Sequence, residues 1–221
     1  MVKIMKKYFL AMILVLLAFN AYANNFTGNV NFFLGQKSLK SSDWSPLENQ
    51  TAFAVLVDFK QNNWPVSIAI DTLGSYKEST VSGIKFEGST GELDLGIRKI
   101  WDVSGTAMRP YVGGGIAFIK AKLQGTYGFT VSDEDNGVGY WLNGGIYWAL
   151  TPHFNLGMDL RYSQAKVTLY GIEVEAGGTS AGLIAGICFW LRSIKLIDDF
   201  ANIHVCLLKI IVPELFVEIR E

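Results

Sequence analysis

Between residues 24 and 190, apolar and polar side chains alternate with a period of two, broken at intervals by turn-like residues. That period sends successive side chains to opposite faces of a strand. The cleanest stretch is FNLGMDLRYS, where Phe154, Leu156, Met158, Leu160 and Tyr162 share one face and Asn155, Gly157, Asp159, Arg161 and Ser163 share the other. In TAFAVLVDFK, Phe53, Val55, Val57 and Phe59 lie opposite Ala54, Leu56, Asp58 and Lys60. Val66, Ile68 and Ile70 oppose Ser67, Ala69 and Asp71, and Leu93, Leu95 and Ile97 oppose Glu92, Asp94, Gly96 and Arg98. The pattern predicts eight strands, at about 26–35, 51–60, 65–74, 91–101, 110–121, 138–149, 154–164 and 180–190. Most have the roughly ten-residue length that a tilted strand needs to cross a bilayer.

The connections alternate. Stretches of about fifteen residues follow the first, third, fifth and seventh strands, and short turns follow the others, around Gln61–Trp64, Asp102–Met108 and Thr151–His153. An even strand number with long connections on one side predicts an all-β fold: an eight-stranded, antiparallel, up-and-down transmembrane β-barrel with short periplasmic turns. The long connections between strands five and six and between strands seven and eight contain Tyr127, Phe129, Tyr170, Ile172 and Val174, a pattern compatible with hairpins that continue beyond the membrane or with an exposed contact surface.

Aromatic residues add a height to this picture. Phe26, Phe59, Trp64, Trp101, Tyr111, Trp148, Phe154 and Phe189 fall at the short-turn ends of their strands and predict a periplasmic girdle. The opposite rim carries Phe33, Tyr140 and Tyr162. Lys99 shares an apolar face but sits near the periplasmic end, where its ammonium can reach water. The face opposite the apolar one predicts a lumen that receives Asp58, Lys60, Asp71, Glu92, Asp94, Arg98, Asp159 and Arg161. Opposite charges confined in so narrow a space should pair, either as a network that holds the barrel shut or as a gate in a narrow polar path. Gly113, Gly115, Gly145, Gly157, Gly182 and Gly186 would leave inward room for large side chains, with Trp141 and Tyr147 as candidate fillers beside Asn143. The facing of the fifth strand stays open, because both of its faces carry glycine.

Composition sharpens the exclusions. The chain has 221 residues, is half apolar and carries a net charge of -1, which gives no basis for nucleic-acid binding. Lys3, Lys6 and Lys7, an apolar run from Phe9 to Phe19, and Ala21-Tyr22-Ala23 form the three parts of a signal peptide over 1–23. Cys188 and Cys206 are too few for a disulfide-framed scaffold. His153, in a short turn, is the one histidine before the tail, so the paired base and nucleophile of an outer-membrane acyl-transfer or deacylation site are missing and no enzyme is expected. Asp133, Glu134 and Asp135 form an acidic cluster without the spacing of an EF-hand, and a solvated loop touching divalent-bridged lipopolysaccharide is the reading they favour. No cofactor or metal site is expected.

RPYVGGGIAFI, GVGYWLNGGIYWAL, FNLGMDLRYS and GGTSAGLIAGICFW together resemble the small eight-stranded outer-membrane barrels, the OmpA- and OmpX-like group. The last stretch resembles the signal that ends such barrels, with Phe189 as terminal aromatic and Ile187, Ala185, Leu183 and Ala181 alternating behind it. The resemblance implies a bacterial outer-membrane location, with outer-membrane lipids, lipopolysaccharide and the barrel assembly machinery as partners. It implies a structural or surface-contact role, with a narrow OmpW-like channel for small solutes as the alternative. The chain departs from the group in a tail, 191–221, whose apolar run is interrupted by Lys209 and Pro213. This tail reads as a read-through extension, an amphipathic segment at the periplasmic interface, or a partner-binding peptide.

Overall fold

The computed structural model describes residues 26–61 and 63–191. The expected signal segment and the tail after Leu191 lie outside the described residues. Eight strands close into a barrel in the order β1-β10-β7-β6-β5-β4-β3-β2. They are β1 (Phe26–Ser38), β2 (Asn49–Gln61), β3 (Ser67–Val81), β4 (Ile84–Ile100), β5 (Met108–Tyr127), β6 (Phe129–Ala149), β7 (Phe154–Gln164) and β10 (Gly178–Leu191). Two short strands, β8 (Lys166–Leu169) and β9 (Ile172–Glu175), form a separate hairpin between β7 and β10, and a one-turn helix, α1 (Ser41–Trp44), follows β1. Every strand of the ring has both edges paired, as closure requires where no water can satisfy a free edge.

Two of the four long connections are strand rather than loop. β3 and β4 stay in register from Ser67↔Arg98 up to Val81↔Ile84, and β5 and β6 from Met108↔Trp148 up to Tyr127↔Phe129. Only Ser82-Gly83 and Gly128 turn the chain at their tips. Ser82 and Gly83 both have positive φ (51° and 80°), as do Tyr170 and Gly171 (52° and 78°) at the β8–β9 turn. Paired positive φ marks the tight turn whose twist matches that of the flanking strands. These strands run past their predicted ends because the upper hairpins, Lys77–Glu87 among them, pair without an apolar face to sustain the alternation.

The barrel is inverted in polarity. Phe32, Leu34, Ile70, Leu95, Ile116 and Leu160 stand exposed on its outer wall, while Asp71, Asp94, Arg98 and Arg161 are buried inside. An exposed apolar surface of this extent is a hydrocarbon-facing surface, not a water-facing one. On β5 the odd positions Tyr111, Ala117, Ile119 and Ala121 are buried and Val112, Ile116 and Phe118 are exposed, which resolves the facing that its glycines left open.

The long-hairpin end of the lumen is filled by apolar side chains. Leu39, Trp44, Ile119, Trp141, Val167 and Leu169 belong to one buried cluster. α1 delivers Trp44 to it, and the Trp44 indole Nε1 donates to the Glu175 carbonyl at 2.7 Å. Asp43 Oδ2 accepts from the Glu175 amide at 3.0 Å, so α1 and the β8–β9 hairpin brace each other across this end.

Candidate functional site

Seven of the eight charged residues expected in the lumen are buried there: Asp58, Asp71, Glu92, Asp94, Arg98, Asp159 and Arg161. Alternation alone brings them inward, and the register then sets who meets whom. Ser67↔Arg98 and Asp71↔Asp94 place β3 and β4 charges within one another's reach. Arg98 donates to Asp71 at 2.6 Å and contacts Asp58 at 3.3 Å. Arg161 pairs with Asp71 and Asp94 and lies 3.8 Å from Asp159, so Asp71 bridges both guanidinium groups. Planar, forked donors suit this task, since each guanidinium serves more than one carboxylate.

Lys60 is the correction. It stands half-buried at the short-turn end of β2, and no ion pair joins it to the network among the described residues. It lines a cavity of about 420 Å3 at the short-turn mouth of the barrel, with Asp58, Ser67, Asp102, Arg109 and Cys188. Lys60 keeps the parity of Asp58, but this far down the strand the wall opens to solvent.

A third buried cation lies outside the predicted strand. Lys37 is fully buried, pairs with Glu92, and donates to Thr90 Oγ1 at 2.8 Å and to the Ala176 carbonyl at 3.2 Å. It sits on β1 two residues beyond the predicted end of that strand; its odd parity with Asn29, Asn31 and Phe33 was the available signal. Among the described residues, five buried carboxylates thus face three buried cations. The balance is met by neutral donors. Asn29 donates to Asp58 at 2.7 Å, and Tyr111 and Asn143 donate to Asp159 at 2.6 and 2.8 Å. Ser163 donates to Glu92 at 3.1 Å.

Tyr111 therefore does not belong to the periplasmic girdle. It is buried, stacks on Tyr147 at a centroid distance of 4.3 Å, and lies under Arg98, 5.4 Å from the guanidinium carbon. A glycine makes the space: a Cβ at Gly145 would stand 2.6 Å from Tyr111 Cζ. Trp141 likewise lies under Arg161 at 5.0 Å. Each arginine thus sits over an aromatic face, Arg98 on Tyr111 and Arg161 on Trp141, and Tyr147 stacks beneath Tyr111. Phe33, assigned by sequence to the opposite rim, also points inward and is buried.

The remaining girdle residues sit on or near the outside. Trp64, Trp101 and Phe154 are exposed, and Phe26, Phe59, Trp148 and Phe189 are half-buried. Phe189 covers Gly28 of β1 across the closing seam. Lys99 Nζ donates to the Pro65 carbonyl at 2.6 Å and so caps a short turn.

The acidic cluster has structural partners. Asp135 accepts from the Thr168 amide at 2.7 Å and Asp133 from the Tyr170 amide at 2.6 Å, while Glu134 pairs with Lys120 at 2.7 Å. The two aspartates dock the β8–β9 hairpin onto β6. No cluster of metal-ligating side chains is present among the described residues. His153 lies in the β6–β7 turn with its ring edge-on to Trp190 at 5.2 Å.

No family model and no curated protein matches the sequence. Solved structures do match the fold. The attachment invasion locus protein Ail of Yersinia pestis, crystallised with the heparin analogue sucrose octasulfate, is 14% identical with a TM-score of 0.54, covering 76% of this chain and all of that one (100%). A major outer membrane protein from Thermus thermophilus is 10% identical with a TM-score of 0.52, covering 75% of this chain and 98% of that one. The fold is that of the small eight-stranded outer-membrane barrels. The shared feature is the fold, a closed eight-stranded ring.

Proposed function

We propose that this outer-membrane barrel is a closed, non-enzymatic wall protein whose role is structural or surface-contacting through its long hairpins. The observation that supports this most is the lumen. Its middle is crossed by the Arg98–Asp71–Arg161–Asp94 network, and its long-hairpin end is filled by Trp44, Val167 and Leu169. A charge network bonded on both sides supports closure over transport, because opening a path would strand buried charges. The periplasmic cavity favours the channel alternative at one end only, since Asp58, which lines that mouth, is tied to Arg98, and Arg98 through Asp71 to Arg161, across the lumen beyond it. Outer-membrane lipids and the assembly machinery remain the partners this reading implies. The test is conductance of the purified protein in planar bilayers. The expected result is none; a stable, reproducible single-channel current would reverse the choice in favour of a narrow solute channel.

A further inference from the structure

A second cavity, a groove of about 660 Å3, lies on the outer wall rather than in the lumen. It crosses β2 to β6 along the register row Phe53, Gly74, Gly91, Lys120 and Asn136. Four strand-to-strand steps of about 4.8 Å make it roughly 19 Å long. Its floor exists because two glycines face each other, Gly74↔Gly91, on the outward side. Phe53 folds over Gly74, where a Cβ would stand 2.7 Å from its Cζ, whereas a Cβ at Gly91 would meet nothing within 4 Å. Leu93 and Phe118, both exposed, flank it.

The groove is oblique to the membrane. Ala181, near the long-hairpin start of β10, is carried by successive pairings through Leu160, Gly144 and Val112 to Lys99, one residue from the periplasmic end of β4. Rows therefore descend in that direction, as barrel stagger requires. The groove's own row descends from Asn136 and Lys120 at the outer-leaflet end to Phe53 deeper in the wall. One end is cationic and polar, and the rest is glycine, aliphatic and aromatic. On a wall that faces hydrocarbon, the occupant with matching chemistry is an amphiphile with an anionic head.

We propose that this groove holds an acyl chain of the phosphorylated glycolipid of the outer leaflet, with Lys120 engaging its phosphate. The proposal rests on the outer-membrane orientation given above. Lys120 is paired with Glu134 at 2.7 Å, with both side chains half-exposed. Exposed pairs of this kind contribute little, so the ammonium is free to turn to a phosphate oxygen, a stronger acceptor. Lys122, the next outward position on β5, adds a second cation above the same end.

The test is native mass spectrometry of the refolded full-length protein in detergent, titrated with bisphosphorylated lipid A, dephosphorylated lipid A and phosphatidylglycerol. A one-to-one adduct with bisphosphorylated lipid A is expected. Gly91→Trp, which fills the open floor, should weaken it by about tenfold or more, while Leu183→Trp on β10, away from the groove, should leave it unchanged. Lys120→Gln should weaken the bisphosphorylated adduct roughly fivefold and leave the dephosphorylated one alone. Gly91→Leu replaces the tryptophan variant if that one loses the heat-modifiable folded form. Equal retention by the Gly91 variants, an unaltered adduct in Lys120→Gln, or equal retention of phosphatidylglycerol would each overturn the proposal. Absence of a heat-modifiable form in the wild-type protein would instead overturn the barrel reading beneath it.

Discussion

Arg98 shows how much one lumen residue carries. Its guanidinium serves Asp71 and Asp58 and lies over the Tyr111 ring, all in a space closed to solvent. Arg98→Ala removes one side of the network and leaves two buried carboxylates short of a partner. The expected loss is about 3–5 kcal/mol in urea unfolding, without new conductance if the network is a brace rather than a gate. Lys60→Ala, at the open periplasmic mouth, should stay within about 0.5 kcal/mol of the parent in the same assay. Tyr111→Phe keeps the stack on Tyr147 but deletes the hydroxyl that donates to Asp159, for an expected cost of about 1.5–3 kcal/mol. Asn143 would hold Asp159 in place, so the barrel should still close. Of these residues, Arg98 was legible from alternation alone. Tyr111 was not, because Gly113, Gly114 and Gly115 break the alternation just beyond Val112 and leave the facing of the strand without a marker.

At the scale of elements, the hairpins above the membrane are held to one another by carboxylates on backbone amides. Asp135 takes the Thr168 amide and Asp133 the Tyr170 amide, which ties β8–β9 to β6. Asp133→Asn together with Asp135→Asn replaces two charge-assisted acceptors by neutral ones. Hydrogen exchange at Thr168 and Tyr170 should then accelerate while exchange in the β3–β4 ladder stays unchanged. The same tie should respond to acid. The backbone hydrogen bonds from Thr168 and Asn136 hold the Asp135 carboxyl below its ordinary value of 3.8. A lowered folded value means that the contribution is present above the unfolded value and is lost as pH falls through the folded one. Exchange at Thr168 should therefore be flat from neutral pH down to the ordinary aspartate range and rise only below it, once the intrinsic pH dependence is divided out. Asp43, lowered by the Ser42 hydroxyl and the Glu175 amide, predicts the same course for the α1 contact.

At the scale of the molecule, the barrel of the described residues is a ring whose exterior suits hydrocarbon and whose interior suits charge. A ring cannot open at one strand without exposing two edges at once, so partial unfolding is disfavoured. The refolded protein should migrate faster on a gel unboiled than boiled, and should require detergent or lipid to stay monomeric. Recovery as a water-soluble monomer without detergent would contradict the inverted polarity seen in the structure. The loss of mobility shift on heating should come at lower temperature in Arg98→Ala than in Lys60→Ala, which links the residue scale to this one.

By itself, the sequence determined the eight strands of the ring, the inward and outward faces of four of them and the location of most of the lumen charges. Period-two alternation is a local property, and a strand with one apolar face reports its facing without any partner. It also separated short turns from long connections, because Gly, Pro and polar clusters punctuate the lower ends. Only the tertiary structure decided the rest. Which carboxylate meets which guanidinium depends on register between strands far apart in the chain, as with Asp94 and Arg161, 67 positions apart. Lys37 entered the network because β1 continues past the point where its outer face stops being apolar. The outer groove exists because Gly74 and Gly91 fall opposite one another, and neither glycine reveals that pairing alone. The acidic stretch 133–135 became a docking site for β8–β9 because folding brings amide donors to it that no reading along the chain could place there.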